Sequence, residues 1–322
     1  MKFPATFSII ASLLATATAH GGVDSYTVGS TTFPGWSPYN SFTSQKTLQR
    51  QYSSYDPLYI KDLSSVNIRC NNAGALGTGV SGTVAAGEKL LARWKQWTHR
   101  PSAFFVYMAK CPSSGCNSWD GAGKVWFKIY HQGLISGTQN AGIWAGDAIL
   151  DTLVATVTIP ASLVAGEYLI RHEILALHQA NNPQFYPECA QFVVTGSGTV
   201  SPPSSALVSF PGAYVGTEPG IAFNIDSPEA MKATTYPIPG PAVWDGTGNA
   251  PSPGTEPTPE PTPVPSVPPT TLATSATPKP TVPSCMPVKK YGQCGGKTFS
   301  GCTVCESGST CSASGDYYSQ CV

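Results

Sequence analysis

Between Thr247 and Ser284 the chain is dominated by Pro, Thr and Ser, with few large apolar residues, and twelve of its 30 prolines fall in these 38 positions. A stretch with so few large apolar side chains cannot bury a core, and its prolines favour an extended polyproline II course. At ~3.1 Å per residue it reaches at most about 120 Å. No single globular fold can therefore contain all 322 residues. The composition predicts a folded domain over 20–246, a linker over 247–284 and a second, small unit over 285–322. Ser and Thr interleaved with Pro suit O-glycosylation, whereas no Asn-x-Ser/Thr sequon occurs.

The first 19 residues read as a signal peptide. Met1-Lys2 is a short basic start, Ala5 to Ala15 is apolar, and Ala17-Thr18-Ala19 is a small-x-small cleavage site. The apolar stretch is too short to span a bilayer, and no continuous apolar run near 20 residues follows. A secreted, extracellular protein is expected, and ten cysteines agree with an oxidising compartment. Eighteen basic residues balance 18 acidic ones, which argues against nucleic acid or an anionic membrane as partner. Cleavage after Ala19 makes His20 the new N-terminus, so that one residue offers both an α-amino group and a ring.

The large domain reads as β. Val66–Cys70, Phe104–Met108, Val125–Tyr130, Val154–Ile159, Tyr168–Leu177 and Gln191–Val194 are short strand-like runs between Gly, Pro and Asn turns. No long stretch keeps a helical period. Several antiparallel strands in a domain of this size predict a β-sandwich, with functional residues beside its turns. Cys111 and Cys116 flank the turn Pro112-Ser113-Ser114-Gly115, which pairs them and leaves Cys70 with Cys189; four cysteines allow three pairings. Gly77-Thr78-Gly79-Val80-Ser81-Gly82 spells a dinucleotide-binding pattern, but it lacks the strand before and the helix after, so it reads as a loop. Cys302-x-x-Cys305 stands alone among many cysteines, where disulfides are favoured over zinc.

The five histidines carry the chemistry. His20 follows the cleavage site, His99 lies in the turn entering the strand that ends near Cys111, and His178 ends Arg171-His172-Glu173-Ile174-Leu175-Ala176-Leu177-His178. Tyr186 lies three residues before Cys189. An α-amino group with two imidazoles forms a nitrogen-rich planar set suited to Cu(II) by geometry and affinity. A free amine with a pKa near ~7.7 gives up its proton readily to a metal at neutral pH. His131 and His172 read as structural. Period-two alternation places His172 with Ile170 and Ile174, as a satisfied core residue.

Residues 20–245 resemble the fungal lytic polysaccharide monooxygenases of auxiliary-activity family nine, once classed as glycoside hydrolases. The resemblance is carried by His20-Gly21, Arg69-Cys70-Asn71, Val84-Ala85-Ala86-Gly87 leading to Trp94 and Trp97, and Arg171-His172-Glu173 through His178. Gln184-x-Tyr186-Pro187-x-Cys189, Pro211-Gly212-Ala213-Tyr214 and Pro219-Gly220-Ile221 extend it. It implies an immunoglobulin- or fibronectin-like antiparallel sandwich with long loops. It also implies one copper ion held by the amine and ring of His20, the ring of His99 and the axial phenol of Tyr186, with His178 and Gln184 beside them. The implied reaction is oxidative cleavage of cellulose at carbon 1 or carbon 4, using O2 or H2O2 and an external electron donor. Two departures stand out: His99-Arg100-Pro101 lacks the family's Gly before the Pro, and Asp226 stands where an aromatic is usual. The competing reading is an endo-β-1,4-glucanase with a carboxylate pair. Fourteen Asp and Glu lie in this domain, none in a recognisable catalytic motif.

Residues 285–322 resemble a family-one, fungal-type cellulose-binding module through Tyr291-Gly292-Gln293-Cys294-Gly295-Gly296 and Tyr317-Tyr318-Ser319-Gln320-Cys321. A unit this small needs covalent staples. The resemblance implies bridges Cys294–Cys311, Cys305–Cys321 and Cys285–Cys302, and a cellulose-contacting surface of Tyr291, Tyr317, Tyr318 and Gln320. Tyrosines present a flat apolar face with a polar tip, which suits stacking on glucose rings. Gly315 stands where a sugar-bonding Asn is common. The expected partners are insoluble cellulose and a reductant, and the protein is expected to be a monomer.

Overall fold

The computed structural model describes residues 20–71 and 76–248, and in the C-terminal unit 287–288, 293–295, 302–315 and 318–321. The chain divides into two compact units, one running to Thr258 and one from Pro259. The first unit contains β1 (Val23–Val28), β2 (Thr31–Pro34), the short helix α1 (Asn67–Cys70), β3 (Gly82–Ala85), β4 (Lys89–Trp94) and β5 (Ser102–Lys110). There follow β6 (Trp126–Gln132), β7 (Leu134–Ser136), β8 (Ile143–Trp144), α2 (Ala145–Thr152), β9 (Val154–Thr158), β10 (Gly166–Ala176) and β11 (Gln184–Thr195). They form a four-stranded sheet, β2-β1-β4-β9, and a five-stranded sheet, β3-β11-β10-β5-β6. The β3–β11 pair is parallel; the other pairs of these two sheets are antiparallel. The architecture is the antiparallel sandwich that the sequence predicts.

Strand alternation sorts the five-stranded sheet into two buried faces. Phe104, Val106 and Met108 of β5, with Ile170 and Ile174 of β10 and Ala190 and Phe192 of β11, meet Tyr26, Leu90, Ala92 and Val157 of the other sheet. Ala103, Phe105, Tyr107 and Ala109 point the other way, under a covering of loops that supplies Leu58, Leu63, Phe210, Tyr214 and Ile221. Burial on both sides explains why β5 and β10 read as near-continuous apolar runs.

Several expectations need correction. Val66–Cys70 forms no strand: its last four residues are α1, a single helical turn. The cause is tertiary, because the buried Arg171 guanidinium takes the carbonyls of Ile68 and Arg69 at 2.8 Å each, and Cys70 is bonded to Cys189. β11 begins at Gln184, seven residues before the run that reads as a strand. Pro187 masks its start, yet on the side away from β10 this half of β11 meets only the isolated bridges Leu58–Phe185 and Gln49–Ala190. A proline is tolerated where a strand lacks a full partner. His172 is fully buried beside Ile170 and Ile174, but neither ring nitrogen has a protein partner, so it is not a satisfied core residue. β1, β4 and α2 have no counterpart among the strand-like runs of the sequence.

Cys111 and Cys116 are bonded to each other. In the C-terminal unit, β12 (Gln293–Gly295), β13 (Cys311–Gly315) and β14 (Tyr318–Cys321) form an antiparallel sheet in the order β12-β14-β13. Cys294 is bonded to Cys311 and Cys305 to Cys321. Cys302 is disulfide-bonded, whereas Cys285 lies outside the described residues. Tyr291 and Tyr317 also lie outside them; Tyr318 and Gln320 are on β14.

Candidate metal centre

Three strands of the five-stranded sheet end together. Ser102 at the start of β5 pairs with Ala176 at the end of β10, and Ala176 pairs with Gln184 at the start of β11. This register delivers four candidates to one place, since His99 lies three residues before β5, His178 two after β10, and Gln184 and Tyr186 on β11. Leu177 N–H donates to the Pro101 carbonyl (2.9 Å), so the loop carrying His99 is tied to the one carrying His178. His20 arrives from the other sheet, three residues ahead of β1.

The rings converge. His20 and His99 have centroids 5.5 Å apart, and each lies 6.1 Å from the Tyr186 ring. His178 stacks parallel on His99 at 4.1 Å. The Tyr186 hydroxyl donates to Gln184 Oε1 at 2.7 Å. Burial holds the phenol proton on, pushing the Tyr186 pKa far above its ordinary value. His99 is pushed down to about 4 by burial, then by His178 and His20, and burial followed by His20 lowers His178. Both imidazoles are therefore neutral at neutral pH and keep a lone pair for a ligand.

Residues outside the candidate ligand set hold the arrangement. Trp97 stands edge-on to both Tyr186 (5.0 Å) and His99 (5.3 Å), and its indole N–H donates to Ser102 Oγ at 3.3 Å. Ser102 Oγ in turn donates to the His99 carbonyl at 3.3 Å. Arg100 Nε donates to Asp147 Oδ1 (2.8 Å), fastening the His99 turn to α2. Asp56, 71% exposed, stands 3.7 Å from His20 Nδ1. Trp97 is signalled by its motif and by its proximity to His99 along the chain; the Asp147 and Asp56 contacts join segments far apart and carry no sequence signal.

The donor set fits a copper ion. His99 Nε2 is buried without a hydrogen-bond partner, and so is His178 Nδ1. An unpartnered imidazole nitrogen at the mouth of a site is costly unless something else completes it. Imidazoles, with His99 held neutral, and a neutral phenol are nitrogen-rich and weakly oxygen-bearing, which favours copper over magnesium or calcium.

Comparison with known proteins agrees. Residues 20–236 match Auxiliary Activity family 9 (formerly GH61), and residues 290–318 match the fungal cellulose binding domain. The chain is 41% identical over 326 residues to the AA9 family lytic polysaccharide monooxygenase-like protein CEL1 of Agaricus bisporus, covering 100% of this chain and 97% of that one. It is 46% identical over 231 residues to the AA9 family lytic polysaccharide monooxygenase B of Heterobasidion irregulare, covering 71% of this chain and 93% of the relative. The crystal structure of HiLPMO9B superposes with a TM-score of 0.66 at 44% identity, covering 70% of this chain and 99% of that one. A sandwich whose two sheets bring His20 together with His99, His178 and a protonated Tyr186 thus has the sequence of its kin as well as their shape: the chain belongs to Auxiliary Activity family 9, the copper-dependent lytic polysaccharide monooxygenases, and carries a fungal cellulose-binding domain.

Proposed function

We propose that the mature enzyme begins at His20 and that one copper ion would be held by the α-amino group and ring of His20, the ring of His99 and the Tyr186 phenol. The convergence of these three rings around the unpartnered His99 Nε2 carries the reading. The family match starting at residue 20 supports the cleavage site. Secretion follows from the N-terminal leader. Among the described residues no helix is long and apolar enough to cross a membrane.

Bound copper, cycled by an external electron donor, supplies the activation of O2 or H2O2 that lets hydrogen be taken from carbon 1 or carbon 4 of a glucosyl unit. The chain's own groups set the conditions. Tyr186 donates a hydrogen bond to Gln184, remains neutral and would complete the donor set that holds the copper. His178, neutral and packed flat on His99, holds a proton beside the ligand set. The small C-terminal unit raises the local concentration of the enzyme on cellulose through its tyrosines, across the linker from 247 to 284.

An N-terminal Ala added before His20 tests the proposal. It turns the amine into an amide, and the expected result is intact folding and cellulose adsorption, far weaker Cu(II) binding and no oxidised sugars. His99→Ala on the correct N-terminus is expected to show the same loss, whereas His178→Ala keeps copper and loses turnover. Copper titration, electron paramagnetic resonance and mass spectrometry of products with and without reductant read all three. Full activity of the extended protein, or soluble product without reductant, overturns the reading.

A further inference from the structure

The candidate site receives His20 on a segment with little sequence-local support, and one buried carboxylate grips that segment. Glu188 is 1% exposed and lies two residues beyond Tyr186 on β11, hence on the same strand face. Its Oε2 accepts the Val23 N–H at 2.7 Å and also an N–H of the Gln49 side chain. Gln49 is itself fully buried, and its Oε1 accepts the Trp36 N–H at 2.6 Å. Among the described residues no lysine or arginine forms an ion pair with Glu188. A buried carboxylate without a cationic partner is costly, so its retention in a core needs a reason.

The glycines supply a second observation. A side chain at Gly22 would collide with Glu188 Oε1 and stand 2.7 Å from the Tyr52 hydroxyl. One at Gly21 would collide with the Gln96 carbonyl. Lys95 N–H donates to the Gly22 carbonyl at 2.8 Å. The segment Gly21-Gly22-Val23 thus runs in a slot only backbone can fill, with the extension of β4 on one side and the Glu188 carboxylate on the other.

We infer that Glu188 is a positioning residue for the metal centre: it fixes the N-terminal segment against the strand that carries Tyr186, and so sets where His20 stands relative to the Tyr186 phenol. The inference rests on the copper site proposed above. The carboxylate touches no proposed ligand; it acts through three residues of backbone. Groups that orient ligands in this way change metal affinity by roughly 10–100-fold when removed.

The test uses the secreted full chain with its native N-terminus. Glu188→Ala is expected to weaken Cu(II) binding about tenfold or more and to shift the paramagnetic resonance parameters. Glu188→Gln keeps an acceptor for Val23 N–H and is expected to restore affinity to within about threefold of the parent, with a near-parental spectrum. Gly22→Ala pushes the carboxylate aside without removing it, so it shifts the spectrum in the same direction and provides the answer should Glu188→Ala not fold. The melting temperature of each metal-free variant is the control. A folded Glu188→Ala or Gly22→Ala protein with parental affinity and spectrum overturns the inference, even if its melting temperature falls. If the parent protein itself binds no copper, or binds it equally well after His99→Ala, the site reading fails and the inference with it.

Discussion

The two buried faces of the five-stranded sheet solve the problem of internal polarity differently. On the loop-covered face the charges and hydroxyls are matched. Arg171 makes a bidentate pair with Glu173 (2.7 and 2.9 Å), the Tyr214 hydroxyl donates to Glu173, Tyr107 and Tyr214 share a hydrogen bond of 3.0 Å, and Lys128 Nζ donates to the Pro239 carbonyl at 2.8 Å. On the sheet-covered face the Tyr26 hydroxyl, the Trp94 indole N–H and both nitrogens of His172 are buried without a protein partner. Loops bring carbonyls that no ladder satisfies, so buried cations are needed to take them up. A second sheet satisfies its own backbone, and the face between sheets can be packed almost wholly from apolar side chains. Glu188, which this face also contains, lies two residues beyond Tyr186 on β11.

Breaking the matched face should cost most. Arg171→Met leaves Glu173 buried and unpaired and releases the carbonyls of α1, and a loss of about 3–5 kcal/mol is expected in denaturant unfolding. A loss below about 1 kcal/mol would show that the network is not a structural unit. Removing the clamp behind it, with Cys70→Ala and Cys189→Ala together, opens a loop between residues 119 apart and should cost about 4 kcal/mol.

The two faces should also shape different pH ranges of the stability profile, with the same sign in each. Burial lowers His172 from 6.5 to about 3, so between these values the unfolded chain binds more protons and stability is lost as pH falls. His172→Leu should flatten this acid limb, by up to about 1.4 kcal/mol per pH unit. Lys128 on the other face is pushed down from 10.5 to about 7, chiefly by burial, so between these values the unfolded chain again binds more protons and stability rises with pH. Stability gained as pH rises from 7 toward 10.5 should disappear in Lys128→Met and persist in His172→Leu. Identical profiles for the two variants would remove the distinction. The smallest effect is expected outside both faces: Thr27→Ala removes an exposed cross-strand hydroxyl pair with Thr32 and should cost about 0.2–1 kcal/mol.

Much of this is legible in the chain. The short, near-continuous apolar runs Phe104–Met108 and Tyr168–Leu177 locate β5 and β10, because a side-chain period of two sends such a run to two faces that are both buried. The turn between Cys111 and Cys116 leads to its own disulfide, and His20, His99, His178, Gln184 and Tyr186 are picked out by their motifs alone. Sequence-local reasoning misreads each element whose conformation depends on a distant partner. Val66–Cys70 has the composition of a strand, but Arg171, more than 100 positions away, needs its carbonyls in a helical turn. Pro187 looks like a strand breaker and is harmless only because that part of β11 lacks a full neighbour on one side.

The sequence by itself determined the β character, the segment too poor in apolar residues to fold, the family and the candidate ligands, since these depend on side-chain periodicity, composition and motif. Only the tertiary structure decided how the ligands meet. The alignment of Ser102, Ala176 and Gln184 across three strands, the stacking of His178 on His99 and the hold of Glu188 on Val23 join residues that are between a few and 165 positions apart. Such contacts arise from strand register and sheet packing, and neither is written in any local stretch of chain.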